Sequence, residues 1–199
     1  MLSVVVVVAL ATAASPFDDA KGSAVVVDRL ASTVAALVGV CPDGLLPDEL
    51  SECQKNLATA AKTWSGKKVY VNVGVIDPAF LSFGSKTGDR AKLVWAPLLD
   101  LGNGLALTVG KPDKLSDKGN VVVARKPFEG ASDPELLDSD LQRAVKTGQV
   151  GVEVVATFGK PWQLNGKGQI VRGVPLQLQA VRFSHTRTGK VLVEVNGLK

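Results

Sequence analysis

Residues 64–75 read WSGKKVYVNVGV, and the apolar periodicity of the chain changes within this stretch. Up to Trp64, apolar residues recur at every third or fourth position, which is typical of helices with one buried face. From Val69 to Val75, valines occupy every second position, which is typical of a half-buried strand. The sequence therefore predicts helices before this stretch and β-structure after it.

Two helices are predicted before the change, and together they form a helical hairpin over residues 22–64. Pro42-Asp43-Gly44 breaks the chain between them, and Pro47 followed by Asp48 as N-cap is typical of a helix start. The first apolar stripe consists of Val27, Leu30, Val34, Leu37 and Cys41, and the second of Leu50, Cys53, Leu57, Ala60 and Trp64.

Each of these stripes contains one cysteine. Antiparallel helices that press the stripes together bring the two Cα atoms within a bridging range of about 5.5 Å. We therefore expect a Cys41–Cys53 disulfide in an oxidising compartment. The alternative is a reactive thiol pair, but the spacing is not Cys-x-x-Cys and the acidic neighbours raise a thiol pKa instead of lowering it.

The rest of the chain, residues 67–199, is predicted to be mainly β-structure with one helix near residues 133–147. Gly102-Asn103-Gly104 and residues 186–189 are predicted as hairpin turns. This order predicts an α+β fold, in which an N-terminal disulfide-linked helical hairpin packs on an antiparallel, twisted or barrel-like sheet with one inserted helix. The predicted strands are Lys92–Leu101, Leu105–Val109, Val121–Arg125, Val150–Phe158, Ile170–Gly173, Pro175–Phe183 and Lys190–Val195.

Two segments of the β-rich part resemble each other. Residues 108–119 read TVGKPDKLSDKG, and residues 157–168 read TFGKPWQLNGKG. Both leave one predicted strand and enter another, which predicts an internal repeat of one strand–loop–strand unit. Independent convergence of two loops is the alternative.

The N-terminus is predicted to be a signal peptide over residues 1–14, followed by a single α+β domain over residues 15–199. Leu2–Ala14 is an unbroken run of apolar and small residues, too short for a membrane-spanning helix of about 20 residues. Ala11-Thr12-Ala13 matches a small-residue cleavage site. No Lys or Arg precedes the run, which departs from the usual pattern, and a buried N-terminal strand is the alternative.

The charge of the chain is unevenly distributed. The formal net charge is +4 with a pI of about 9.1, which alone does not indicate a nucleic-acid partner. Residues 158–199 contain seven basic residues and one acid, Glu194. We interpret the basic loops as ordinary solvated turns and Trp162 as a hydrophobic plug over the end of the sheet. The alternative hypothesis is a basic surface for an anionic ligand. Its candidate residues are Lys111, Lys118, Lys160, Trp162, Lys167, Arg172, Arg182 and Arg187.

No catalytic, metal or cofactor site is predicted. His185 is the only histidine, and it has no glycine-flanked nucleophile to activate, so we interpret it as a turn residue. The sequence contains no phosphate-binding glycine motif and no set of metal ligands beyond the paired cysteines. Without aromatic-rich strands for base stacking, no nucleic-acid partner is expected, and no transmembrane segment is expected after signal cleavage.

The chain resembles an uncharacterised family of exported bacterial proteins through Leu98–Gly110, with its Gly-Lys-Pro end, and through Leu141–Trp162. The resemblance implies an extracytoplasmic location, periplasmic or secreted, and no activity. The leading hypothesis is a non-enzymatic binding or assembly protein whose basic C-terminal part meets an anionic envelope component or a partner protein. The alternatives are a hydrolase of an envelope polymer with unidentified carboxylates and a structural, self-associating subunit.

Overall fold

A computed structural model gives the fold as a mixed α+β arrangement that is mostly sheet. The structure describes residues 14–41, 45–76, 81–83, 93–95, 98–112, 114–115, 121–122, 126–128, 139–166 and 168–198. The helices are α1 (Pro16–Gly22), α2 (Leu30–Val38), α3 (Pro47–Trp64) and α4 (Ser139–Lys146). The strands are β1 (Val25–Val26), β2 (Lys68–Val75), β3 (Leu81–Phe83), β4 (Leu93–Trp95), β5 (Leu98–Gly102), β6 (Leu105–Val109), β7 (Lys114–Leu115), β8 (Val121–Val122), β9 (Lys126–Phe128), β10 (Val150–Phe158), β11 (Trp162–Gly166), β12 (Gln169–His185) and β13 (Val191–Asn196).

The long strand β12 is the centre of the main sheet. On one side it pairs antiparallel with β11 and then β10, and on the other it pairs with β6 and then β13. The sheet has the order β1-β2-β10-β12-β6-β5, with β11 and β13 attached to β12. Pro175, whose nitrogen cannot donate to a ladder, lies where β12 changes neighbours between β11 and β10.

The sheet is mixed, which corrects the expectation of an antiparallel sheet. β1 runs parallel to β2, and β6 runs parallel to β12. Parallel neighbours require a crossover connection, and the segment with α2 and α3 supplies the one between β1 and β2. Within the described ranges, the order of paired strands is open at both ends, so the barrel-like alternative is not observed.

The first predicted helix is wrong in its extent. Instead of one helix with Val27 on its apolar stripe, the chain forms α1, then β1, then α2, and Val27 lies between β1 and α2. The run Val25-Val26-Val27 is β-branched, and β-branched residues favour extended backbone. Val27 is still buried, with its backbone N–H donated to the carbonyl of Tyr70.

The second predicted helix is confirmed as α3, and the Cys41–Cys53 disulfide is confirmed with a Cα–Cα distance of 6.0 Å. Asp48 lies in the first turn of α3 and not at an N-cap position before it, and Glu49 accepts the backbone N–H of Leu46. The disulfide connects the segment after α2 to α3. The antiparallel hairpin packing of these two helices stays a prediction.

Valines form most of the core on the inner face of the sheet. On this face Val69, Val71, Val154 and Val181 are completely buried, together with Val34 from α2. Trp64 at the end of α3 meets Phe158 edge to face, with ring centroids 6.2 Å apart. The strand predicted after Trp64 is present as β2, and Val69 and Val71 share its buried face as predicted. The predicted alternation does not continue to Val75, because the pairing with β10 shifts register after Asn72 and Val75 is exposed, and Tyr70 on the opposite face is buried under α1.

The predicted internal repeat is not evident in the described ranges. β6 runs parallel to β12 whereas β10 runs antiparallel to it, so the two segments start from unlike positions. Pro112 is buried and Pro161 is exposed, although the two residues are equivalent in the sequence match. Convergent loop sequences account for the similarity better than a duplicated unit.

Candidate functional site

The short helix α1 lies on the outer face of the sheet, which we define by Tyr70, Val155 and Ala180. Ser15 is its N-cap and accepts the backbone N–H of Asp18, and Pro16 occupies the first turn. A helix of 7 residues does not persist alone in water, so docking must hold it in place. Phe17 supplies the anchor, since its side chain is completely buried against the three residues of the outer face.

A polar row crosses the outer face beneath α1. Asn72, Glu153, Arg182 and Glu194 are directly opposite one another on β2, β10, β12 and β13. Residues in this relationship point to the same side of a sheet. The row therefore places one cation between two carboxylates, at the position where α1 docks.

Arg182 is the centre of this row. Its Nε donates to Glu194 Oε1 at 2.6 Å, and its terminal nitrogen donates to Asp18 of α1 at 2.7 Å and to Ser15 Oγ at 3.0 Å. Its guanidinium also lies over the Phe17 ring, 4.3 Å from the centroid. Arg182 is one of the predicted ligand-binding residues, and in the structure its Nε and one terminal nitrogen bind Glu194, Asp18 and Ser15 of the protein itself.

A second cluster joins α1 to β2 and β10. Lys21 Nζ donates to Glu153 Oε1 at 2.9 Å and lies 4.1 Å from the centroid of the Tyr70 ring. The Tyr70 hydroxyl donates to the same carboxylate oxygen. Phe17 and these charged contacts together fix α1 on the sheet.

The carboxylates of this cluster are held ionised. The hydrogen bond from Arg182, helped by Ser15, lowers the pKa of Asp18. Burial alone raises the pKa of Glu153, but the Tyr70 hydrogen bond and the Lys21 ammonium outweigh it, so that this pKa is also lowered. Burial and the neighbouring Glu153 raise the pKa of Tyr70. Two carboxyls with lowered pKa values are poor general acids.

A surface groove of about 400 Å³ runs beside α1. Pro16 and Ala20 form the helix wall, Ala180 of β12 lies beneath it, and Gly197 and Leu198 close it after β13. The Leu198 backbone N–H donates to the carbonyl of Gln179, which fixes this C-terminal wall. A groove of this size is within the range that holds small ligands.

Three polar residues, Lys68, Gln179 and Asn196, are among the described residues that line the same groove. Lys68 is the charged one of the three, and its ammonium donates to Ser23 Oγ at 3.0 Å. Gln179 lies at a β-bulge, because Val155 pairs with Ala180 and the next residue of β10 pairs with Leu178. Bulges redirect side chains, and here the bulged residue lines the groove. Asn196, the last residue of β13, is the third.

Trp162 is buried, with 4% of its surface exposed, which favours its interpretation as a hydrophobic plug. Its indole N–H donates to Thr108 Oγ1 at 3.2 Å. The ring lies over Gly173, its cross-strand neighbour, where an added Cβ would be 2.4 Å from the indole and 2.2 Å from the Ala106 carbonyl oxygen. The indole of Trp162 is therefore not exposed for stacking on a ligand.

The other predicted basic residues are spread along β12. Lys111 and Lys160 are exposed, and they follow the ends of β6 and β10, which meet β12 at Leu176. Arg172 is half-buried, and its Nε donates to Gln163 at 2.9 Å. Arg187 lies in the turn beyond the other end of β12. Lys118 and Lys167 lie outside the described residues.

His185 ends β12, and its Nδ1 accepts the backbone N–H of Arg187. This contact makes it part of the turn between β12 and β13. In the part of the chain that the structure describes, no three metal-ligating side chains are grouped to hold an ion. No helix in that same part has both the length and the apolar character that crossing a membrane requires.

Sequence reasoning missed Phe17, Glu153 and the groove. A signal for the helix was present, because Ser15-Pro16 followed by Asp18 and Asp19 is typical of a helix N-terminus. The groove residues come from four distant segments and leave no local pattern.

A model of a family of unknown function, DUF6066, matches residues 2–195 of the chain. No curated protein and no solved structure matches it.

Proposed function

We propose that this chain, which belongs to the family of unknown function DUF6066, is an exported bacterial protein of the periplasm or envelope that binds an anionic component or partner protein without catalysing a reaction. In this proposal residues 1–14 are removed as a signal peptide, and α2 and α3 form the disulfide-linked hairpin of the exported protein. The Cys41–Cys53 bond supports export, because disulfides persist in oxidising compartments.

The observation that carries the binding role is the charge of residues 158–199. Glu194 is the only acid in this segment, and Arg182 binds it at 2.6 Å. Glu194 is therefore already paired, and Lys160 and Arg172 have no other acidic side chain within this segment. An unbalanced positive surface of this kind attracts anionic partners over distances of about a Debye length.

The position of each basic residue along β12, and the pairing of Arg182 with Glu194, reduce the number of residues in the proposed binding surface. Lys111, Lys160 and Arg172 lie around the middle of β12, within about six residues of strand or roughly 20 Å. Arg187 is at the far end, and Arg182 is occupied beneath α1. The proposed contact surface is therefore Lys111, Lys160 and Arg172, without Arg182.

The rival function, hydrolysis of an envelope polymer, requires two acids with separated pKa values in a pocket. The clustered carboxylates of Asp18 and Glu153 both have lowered pKa values and both bind cations of the protein. This observation favours binding over hydrolysis at the outer face.

The test is retention on envelope material at rising salt concentration. The double variant Lys111→Glu/Lys160→Glu is compared with Lys55→Glu/Lys62→Glu, which makes the same charge change at exposed positions of α3. We expect the first variant to lose salt-sensitive retention and the control to keep it. Equal retention of both variants would remove this surface from the proposed function.

A further inference from the structure

We infer that the groove beside α1 is a binding site for the carboxyl end of a short peptide whose last side chains are small and apolar. This site is separate from the basic surface of the proposed function, since neither Lys111 nor Lys160 lines it. The inference rests on the size of the groove, on the one charged residue among its described lining residues and on the two carboxamide residues of the same lining.

The charge of the groove determines the sign of the charge on the ligand. Among the described residues that line the groove, Lys68 is the only charged one, so an anionic group is the charged group that complements it. The Lys68 ammonium donates one bond, of 3.0 Å, to Ser23 Oγ, and an ammonium has three N–H donors. Carboxylate and ammonium groups form charge-assisted hydrogen bonds, which are about twice as strong as neutral ones.

The carboxamides indicate a peptide. A peptide group offers one N–H donor and one carbonyl acceptor, and each carboxamide offers both in return. Gln179 at the bulge and Asn196 at the end of β13 are both lining residues, and among the described residues neither carboxamide has a hydrogen-bond partner. They match one or two peptide groups that precede a terminal carboxylate.

The apolar lining limits the side chains. Pro16, Ala20 and Ala180 present small surfaces, and the groove volume of about 400 Å³ suits a few residues of alanine size. The lining residues include no aromatic ring, so a sugar or a base has no surface on which to stack. These features favour a small peptide over a glycan or a nucleotide.

The site depends on the docking of α1. The helix wall, Pro16 and Ala20, is present only when Phe17 is anchored, and Arg182 helps to hold it. Removing the anchor therefore removes the site, although Phe17 itself lies beneath the helix and does not line the groove. This dependence distinguishes the site from the basic loops, which do not involve α1.

The experiment is a titration of the intact, disulfide-bonded protein with N-acetyl-alanyl-alanine, followed by NMR chemical shifts and calorimetry. The same dipeptide with an amidated C-terminus is the ligand control. Lys68→Met, which keeps the length of the side chain and removes its charge, is compared with Lys67→Met, an exposed neighbour outside the groove. Far-UV circular dichroism checks that each variant is folded.

We expect the carboxylate peptide to bind the wild-type protein and Lys67→Met equally, and to bind Lys68→Met about tenfold or more weakly. The amidated peptide should bind weakly to all three. Absence of binding to the wild-type protein, equal binding of the two peptides, or unchanged binding by Lys68→Met would each overturn the inference. Lys111→Glu/Lys160→Glu should keep peptide binding, so the two proposals fail independently.

Discussion

The guanidinium carbon of Arg182 lies 4.3 Å from the centroid of the Phe17 ring, and the same guanidinium binds Asp18 from the helix that carries this ring. Arg182 therefore holds α1 by two contacts, one with the face of the Phe17 ring and one with the carboxylate of Asp18. The side chain of Arg182 is only 12% exposed, which makes it a structural cation of the outer face. Because Arg182 is occupied by these contacts, the proposed ligand surface does not include it.

Replacing Phe17 by Ala should lower the free energy of unfolding by about 3 kcal/mol, because a completely buried aromatic ring leaves a cavity and α1 loses its anchor. Urea denaturation followed by circular dichroism measures this change. The control is Asp19→Asn, at an exposed position two residues later in the same helix. Its free energy of unfolding should stay within about 0.5 kcal/mol of the wild-type value. An equal effect of the two variants would mean that α1 is not docked as described.

Acid should loosen the docking of α1. Asp18 and Glu153 have pKa values below their ordinary values of 3.8 and 4.5, so the unfolded chain binds more protons than the folded one between the two sets of values. Their stabilisation is therefore present above about pH 4.5 and is lost as the pH falls through the folded values. Urea denaturation between pH 3 and pH 7 measures the loss.

In the same titration Glu153→Gln should show a shallower fall of stability in acid, because one of the two linked carboxyls is gone. A fall of the same steepness in this variant would contradict the assignment of Glu153.

Gly173→Ala should lower the free energy of unfolding by about 1–3 kcal/mol, because its Cβ would meet the Ala106 carbonyl oxygen at 2.2 Å and the Trp162 ring at 2.4 Å. Thermal and urea denaturation measure the loss, and the fluorescence of the tryptophans reports the displacement of the ring. Gly22→Ala is the matched control, since an added Cβ there has no atom within 4 Å. A tolerated Gly173→Ala would show that Trp162 does not cover this glycine.

Removing the disulfide should lower the free energy of unfolding by about 2–3 kcal/mol, as expected for the short loop between Cys41 and Cys53, 12 residues apart. The measurement compares Cys41→Ser/Cys53→Ser with the oxidised wild type. The reduced wild type is the control and should match the double variant. A double variant as stable as the oxidised protein would show that the bond adds nothing to the fold.

The parts of the fold that depend on local pattern could be predicted from the sequence. The alternating valines after Trp64 indicated β2, the apolar stripe of residues 50–64 indicated α3, and the cysteine in each predicted stripe indicated the disulfide. The sequence predicts the Gly102-Asn103-Gly104 turn because glycine and asparagine favour positive φ. In the structure Asn103 has a φ of 52°.

The rest depends on contacts between distant segments. The parallel pairing of β6 with β12 joins residues more than sixty positions apart, and no local periodicity indicates it. Arg182 looked like the other basic residues of the C-terminal segment, because its partners Asp18 and Glu153 lie elsewhere in the chain. Val27 fits the helical spacing of the residues that follow it in the sequence. Its conformation is nevertheless non-helical, because its neighbours Val25 and Val26 pair with β2.

The most direct test of export, on which the proposed function depends, is the intact mass of the protein recovered from its producing cells, without reductant and after thiol alkylation. We expect a mass that lacks the first 13 or 14 residues and carries no alkyl group, as required by the proposed removal of a signal peptide and by the Cys41–Cys53 bond. A full-length mass with both cysteines alkylated would contradict export.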